Sequence, residues 1–216
     1  MVRPPVAPRV HNTLSYSVAA ASLPLAISIV DTKRLWTIVT ALWVFHFLRR
    51  TAESLWVHRY SGRPVPLTDA LIEYIYYWGF GAWIGVAWAG ADKPAPSGFV
   101  LGLGVLALLV GEAGNTWAHL ELRNLRAQAG STERTLPYKG LFQWVDCPHY
   151  LFEILTWIGF ALVTGLLASA VFAVAVVVIL TLYARERHRR YLQEFDGQEG
   201  RAAYPATRRA LLPGLY

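Results

Sequence analysis

The 216-residue chain has one cysteine, Cys147, so it can close no disulfide within itself, and zinc or iron–sulfur ligation by sets of thiolates is excluded. Charge is also scarce. Asp, Glu, Lys and Arg make up 16% of the residues, against about 25% in soluble domains. No Walker, HExxH or GxSxG motif is present. Gly79, Gly81 and Gly85 miss the GxGxxG spacing by one place and sit in an apolar stretch, where glycine suits close helix packing. His119, His149 and His188 lack metal-ligand spacing, so no metal centre is expected. No recognised nucleic-acid-binding motif accompanies the basic residues, which border apolar segments; nucleic acid is not an expected partner. Residues before Asn12 have prolines and arginines but no apolar core. A cleavable signal peptide is therefore not expected, and the first apolar segment is expected to direct membrane insertion.

What is abundant is apolar and aromatic. The apolar fraction is 55%, with nine Trp and eleven Tyr, a composition that suits aromatic belts at membrane interfaces. Six apolar segments approach the roughly 20 residues a membrane-spanning helix needs. They lie near 14–30, 35–56, 69–90, 97–120, 149–166 and 168–184, with a tight turn expected at Thr164-Gly165-Leu166-Leu167. The expected fold is all-α, a single polytopic membrane bundle over residues 1–216 with about six transmembrane helices. Six spans put both termini and the two long loops on one side. Seventeen Lys and Arg residues fall there, and only Lys33, Arg34 and Lys93 fall opposite. This bias predicts cytosolic termini in a bacterial inner membrane or the endoplasmic reticulum. The net charge of +6 fits this topology and attraction to anionic lipid, or an anionic cytosolic ligand.

Polar residues recur at helical spacing inside these apolar segments. His46, Arg50 and Glu53 fall at i, i+4 and i+7, and Arg49 is placed to pair with Glu53. Asn115, His119, Arg123 and Arg126 form a second stripe. His149, Glu153 and Trp157 share one face of a third helix, and Arg187, His188 and Tyr191 form a basic-aromatic turn in a fourth. Each stripe alone reads as juxtamembrane charge pairing with headgroups. Four at one membrane face point to a shared pocket, because ionisable groups within membrane helices must find partners.

In order along the chain, these residues resemble the steroid 5α-reductase family of membrane NADPH-dependent reductases, and within it the very-long-chain trans-2-enoyl-CoA reductase branch. The matching text runs through His46-Phe47-Leu48-Arg49-Arg50-Thr51-Ala52-Glu53, Val57-His58-Arg59-Tyr60, Tyr76-Tyr77-Trp78-Gly79-Phe80 and Leu122-Arg123-Asn124-Leu125-Arg126. It continues through Cys147-Pro148-His149-Tyr150, Glu153, Trp157-Ile158-Gly159-Phe160, His188-Arg189 and Tyr191-Leu192. Tyr204-Pro205, Arg208 and Leu212-Pro213 close it. The resemblance covers 46–216 and leaves 1–45 as a divergent portion. It implies a helix bundle enclosing NADPH near the cytosolic face, with hydride passing to the β-carbon of an α,β-unsaturated carbonyl lipid. Asn115, Arg126, Glu153, His188 and Tyr191 match positions lining the cofactor site, and Arg50 and Arg63 match basic residues near its phosphates. The stripes add His119, Arg123, His149 and Arg187 to that set.

The chain departs from the family where the substrate carbonyl is held. Phe47 stands where the family has a tyrosine, and no Glu precedes Glu53. His149 replaces the asparagine of the family's Pro-Asn-Tyr segment, as in a polyprenol-reductase-like branch. His46, Tyr76 and Tyr77, with Tyr16, are candidates for a replacement hydrogen-bond donor. Two other functions compete. One is a methyltransferase of the isoprenylcysteine or phospholipid type using S-adenosylmethionine; the other is a non-catalytic lipid-binding relative.

Overall fold

Pro8 occupies the first turn of helix α1, Pro8–Val30, where its missing N–H costs no hydrogen bond. In this computed structural model the described residues are 5–35, 37–60, 64–92, 96–128, 135–198 and 203–213. Helix α2 is Ile38–Ala52 and runs on as one π-helical turn, Glu53–Val57, closed by His58 N–H donating to the Glu53 carbonyl at 2.8 Å. Helix α3 is Leu67–Ala89, α4 Gly98–Gln128, α5 Pro148–Thr164 and α6 Leu167–Glu194. Two-residue strands β1, Pro5–Val6, and β2, Val65–Pro66, pair antiparallel just before α1 and α3.

These six helices occupy the six expected segments, with revised ends. Helix α1 starts six residues before the apolar segment, and α4 and α6 outrun theirs to Gln128 and Glu194. Hydropathy marks the apolar part of a helix, and the backbone hydrogen-bond ladder continues into polar sequence. Between α5 and α6 the chain turns at Gly165, whose φ of +61° suits glycine. Helices α1, α4 and α6 are long and apolar enough to cross a membrane. Helices α2 and α5, at 15 and 17 residues, are shorter than the usual span, and α3 carries Asp69 and Glu73 in its first turns. Large apolar side chains remain exposed on the long helices, among them Ile29, Phe99 and Val174, as in a membrane protein whose helix faces meet lipid.

The chain divides into two compact units, 1–104 with 160–172, and 105–159 with 173–216. In the first unit, His11, Ser15, Ala19, Leu23 and Ile27 recur every fourth residue on the buried face of α1. This face meets α3: His11 Nε2 lies 3.1 Å from Glu73, Ser15 donates to Glu73 at 3.2 Å, and Trp78 donates to the Ser15 carbonyl at 3.0 Å. The fully buried Trp43 donates to the Ala19 carbonyl at 2.7 Å and packs against Phe47, Phe160 and Phe172.

Close approach of α1 to α3 depends on Gly85. A Cβ there would stand 2.7 Å from the Leu23 carbonyl oxygen, a backbone atom that cannot step aside. Gly85→Ala is expected to destabilise the protein by about 1–3 kcal/mol, read as a lowered thermal unfolding midpoint in detergent. Gly79→Ala meets nothing within 4 Å and should be neutral; equal midpoints for the two variants would count against this packing.

Candidate cofactor site

In the second unit, small residues on α4 let α5 come close. A Cβ on Gly111 would stand 2.7 Å from the Phe152 carbonyl oxygen, and one on Gly114 would run into the Phe152 ring. That approach sets Asn115 and His119 beside the first turns of α5. Asn115 donates its amide hydrogen to the His149 carbonyl at 2.8 Å, and the His119 and His149 rings lie 5.7 Å apart. All three are buried. From α6, Arg187 brings Nη1 to 3.4 Å from His149 Nε2, with its guanidinium over the Tyr150 ring. Glu153 accepts from the Trp157 indole at 3.0 Å, one helical turn further along α5. Three helices thus bring Asn115, His119, His149 and Arg187 together, with Glu153 one turn deeper.

Beside them lies a second group. Asp146, fully buried just before α5, is 2.7 Å from His188 Nδ1 and accepts from the Tyr204 hydroxyl at 2.9 Å on each oxygen. Arg208 Nη1 lies 3.7 Å from the same carboxylate, and its Nη2 donates to the Pro137 carbonyl at 2.6 Å. The Arg208 guanidinium also lies over the Tyr138 and Tyr204 rings, at 4.9 and 5.8 Å. The backbone completes the junction, with Asp146 N–H donating to the Arg209 carbonyl at 2.9 Å and Arg209 N–H to the Trp144 carbonyl at 3.0 Å.

Burial raises the Asp146 pKa, opposed by hydrogen bonds from His188 and Tyr204 and by the charges of His188 and Arg208. Burial also raises that of Tyr204, reinforced by the adjacent Asp146. The Cys147 thiol is pushed up to about 12 by burial, so it stays protonated and unreactive at neutral pH.

Other expected site residues lie elsewhere. Arg123 and Arg126 are exposed near the end of α4, because the helix carries them beyond the turns where it meets α5. Tyr191, one turn along α6 from Arg187, instead stays within electrostatic reach of Arg187 and Asp146, and it packs against Phe195 with ring centroids 5.8 Å apart. Arg63 falls outside the described residues. In the first unit, Arg50 donates to Glu53 at 2.6 Å and to the Tyr16 hydroxyl at 3.1 Å, and Arg49 pairs with Glu53 as its i, i+4 spacing predicts. Phe47 is fully buried, with the rings of His46, Tyr77 and Tyr16 at 4.8, 5.5 and 6.4 Å. Tyr76 lies instead against Phe80 and Phe172. Sequence reading gave no role to Asp146, Tyr204 or Arg208. Their partners stand up to 71 positions away, beyond the reach of any spacing rule.

The fold and this polar group define a helical integral membrane protein with a candidate polar site gathered from α4, the first turns of α5 and α6. The family model for 3-oxo-5-alpha-steroid 4-dehydrogenase matches residues 63–216. The chain is 39% identical to a very-long-chain enoyl-CoA reductase of Dictyostelium discoideum over 175 residues, covering 79% of this chain and 55% of the relative. It is 32% identical to a probable very-long-chain enoyl-CoA reductase of Caenorhabditis elegans, covering 79% and 56%. To 3-oxo-5-alpha-steroid 4-dehydrogenase 2 of Sus scrofa it is 31% identical, covering 83% and 68%. The chain belongs to the 3-oxo-5-alpha-steroid 4-dehydrogenase family, and it spans about half the length of the enoyl-CoA reductases it matches. These relatives are named as reductases and a dehydrogenase and lend no support to a methyltransferase.

Proposed function

We propose that this protein binds NADPH in its second unit and reduces the C=C bond of a lipid-like α,β-unsaturated carbonyl, of the enoyl-CoA, enone steroid or polyprenoid type. The observation carrying this reading is the convergence of Asn115, His119, His149 and Arg187 from three helices, in a chain whose relatives are named as reductases. The donor set fits an anionic dinucleotide. Arg187 offers a planar guanidinium suited to phosphate, the imidazoles offer further nitrogen donors, and the Glu153 carboxylate can accept from hydroxyl or amide hydrogens. The cofactor, when bound, supplies the hydride, and the protein supplies binding, orientation and a polarised carbonyl.

Within that reading, Asn115 fixes the start of α5 so that His149 and Glu153 keep one orientation. Arg187 neutralises negative charge, with His149 Nε2 accepting from its guanidinium; Arg123 and Arg126 lie further along α4, and His188 and Tyr191 further along α6. In the first unit, the contacts of Arg50 with Glu53 and Tyr16 give it a local structural task. For the carbonyl, the replacement donor comes from His46, Tyr76, Tyr77 or Tyr16. His46, Tyr77 and Tyr16 ring the side chain of Phe47, which stands where the family has its tyrosine. Both termini face the cytosol, as the basic-residue bias requires.

Phe47 favours one competing reading, a relative that keeps the cofactor framework without catalysis, since loss of an oxyanion-type donor costs roughly 10²–10³ in rate. The test uses detergent-solubilised protein. NADPH should raise the thermal midpoint and S-adenosylmethionine should not, because binding stabilises the folded state by mass action. Oxidation of NADPH followed at 340 nm with a short trans-2-enoyl-CoA should then show slow turnover. Stabilisation by S-adenosylmethionine alone would overturn the cofactor assignment, and binding without turnover would favour the non-catalytic relative.

A further inference from the structure

We infer that Asp146 is a positioning residue for the cofactor site: it holds the His188 imidazole with its Nδ1 hydrogen directed inward, so that Nε2 accepts a hydrogen bond from a hydroxyl or amide hydrogen of the bound dinucleotide. The inference rests on the NADPH reading above.

The geometry gives the carboxylate little freedom. Both oxygens accept from the Tyr204 hydroxyl, Oδ2 also faces His188 Nδ1 at 2.7 Å, and the Arg208 guanidinium stands 3.7 Å from Oδ1. The residue's own N–H is committed to the Arg209 carbonyl. The Tyr204 hydroxyl also lies 3.0 Å from His188 Nδ1, but its single hydrogen is shared by the two carboxylate oxygens, and Arg208 adds positive charge without a hydrogen bond; Asp146 therefore acts as an acceptor, and the remaining hydrogen directed at it is the one on Nδ1. The bond that one ring nitrogen makes decides the role of the other. Tyr204 also packs edge-on against the imidazole, with centroids 5.4 Å apart at 80°, which limits ring rotation.

A purely structural clamp would account for Asp146, Tyr204 and Arg208. It does not account for an imidazole in the fourth place. The Asp146 and Arg208 side chains are both fully buried, whereas the His188 side chain keeps 26% of its surface exposed. Its sequence neighbour, Arg187, turns toward His149 in the proposed cofactor group. Among the described residues, Arg187, Tyr191 and Cys147 also lie within electrostatic reach of Asp146. A serine protease triad uses the same logic, in which a buried Asp selects the histidine tautomer and amide replacement selects the wrong one.

The test joins affinity to spectroscopy. In wild-type protein carrying ¹⁵N-labelled histidine, His188 should show the Nδ1–H tautomer in the NADPH complex; an Nε2–H tautomer overturns the inference whatever the variants do. Asp146→Asn, nearly isosteric, should weaken NADPH about 10–30-fold and raise the KM for NADPH more than it lowers kcat. In a His188→Ala background the same change should leave NADPH affinity within about twofold, since Asp146 acts through His188. Asp146→Asn protein that loses thermal stability but binds NADPH like wild type shows a structural clamp and overturns the positioning role, while the NADPH reading stands. Wild-type protein that fails to bind NADPH sinks both.

Discussion

Arg208→Ala is expected to cause the largest loss of stability of any single substitution in the second unit. The side chain is among the largest fully buried ones, and its guanidinium serves the Pro137 carbonyl, the Asp146 carboxylate and two aromatic faces. Alanine would leave the buried carboxylate with a weaker counter-charge and a cavity beside two rings. Breaking a buried ion pair from one side costs about 3–5 kcal/mol. In a chain of this size that corresponds to a fall of roughly 10 °C in the unfolding midpoint, measured by tryptophan fluorescence in detergent. Arg208→Lys should fall between, because an ammonium keeps the charge and loses the planar fork. A midpoint within 2 °C of wild type for the alanine variant would remove Arg208 from the account of how the C-terminal segment is held.

The largest functional effect is expected at Arg187. Replacing it with alanine should weaken NADPH binding about 10–100-fold, the range for losing hydrogen bonds to a charged group. Arg189→Ala makes a matched control two positions away. Arg189 is exposed and forms a surface pair with Glu186 at 3.6 Å, and its removal should leave affinity within about twofold. Titration of NADPH by fluorescence, repeated at low and high salt, separates the two. Equal affinity in the Arg187→Ala and wild-type proteins would mean that the basic turn of α6 does not meet the cofactor.

Much of the fold is legible in the chain because apolar runs of membrane length leave few alternatives to helix. All six segments became helices, and the turn expected at Gly165 lies between α5 and α6. Helix ends were less legible. The first turn and a half of α1 is polar at Arg9, His11, Asn12 and Thr13; Arg9 stays exposed, and His11 enters the core because Glu73 and Tyr74 on α3 face it. The π turn after Ala52 and the two-residue pairing of β1 with β2 leave no periodic trace.

The candidate site divides along the same line. Spacing alone put His149, Glu153 and Trp157 on one helix face, and the Trp157 to Glu153 hydrogen bond lies there. Which stripe meets which was beyond spacing. Asn115 reaches His149 because Gly111 and Gly114 let α4 approach α5, whereas Arg123 and Arg126 on the same helix reach solvent. By itself the sequence determined the helical membrane character, the family and the residue types available to hold an anion, since hydropathy and local periodicity are properties of neighbours along the chain. Only the tertiary structure decided that Asp146, His188, Tyr204 and Arg208 form one group, and that Tyr16 and Tyr77 flank Phe47. Those contacts join residues dozens of positions apart, and they exist only once helix packing has removed water from between them.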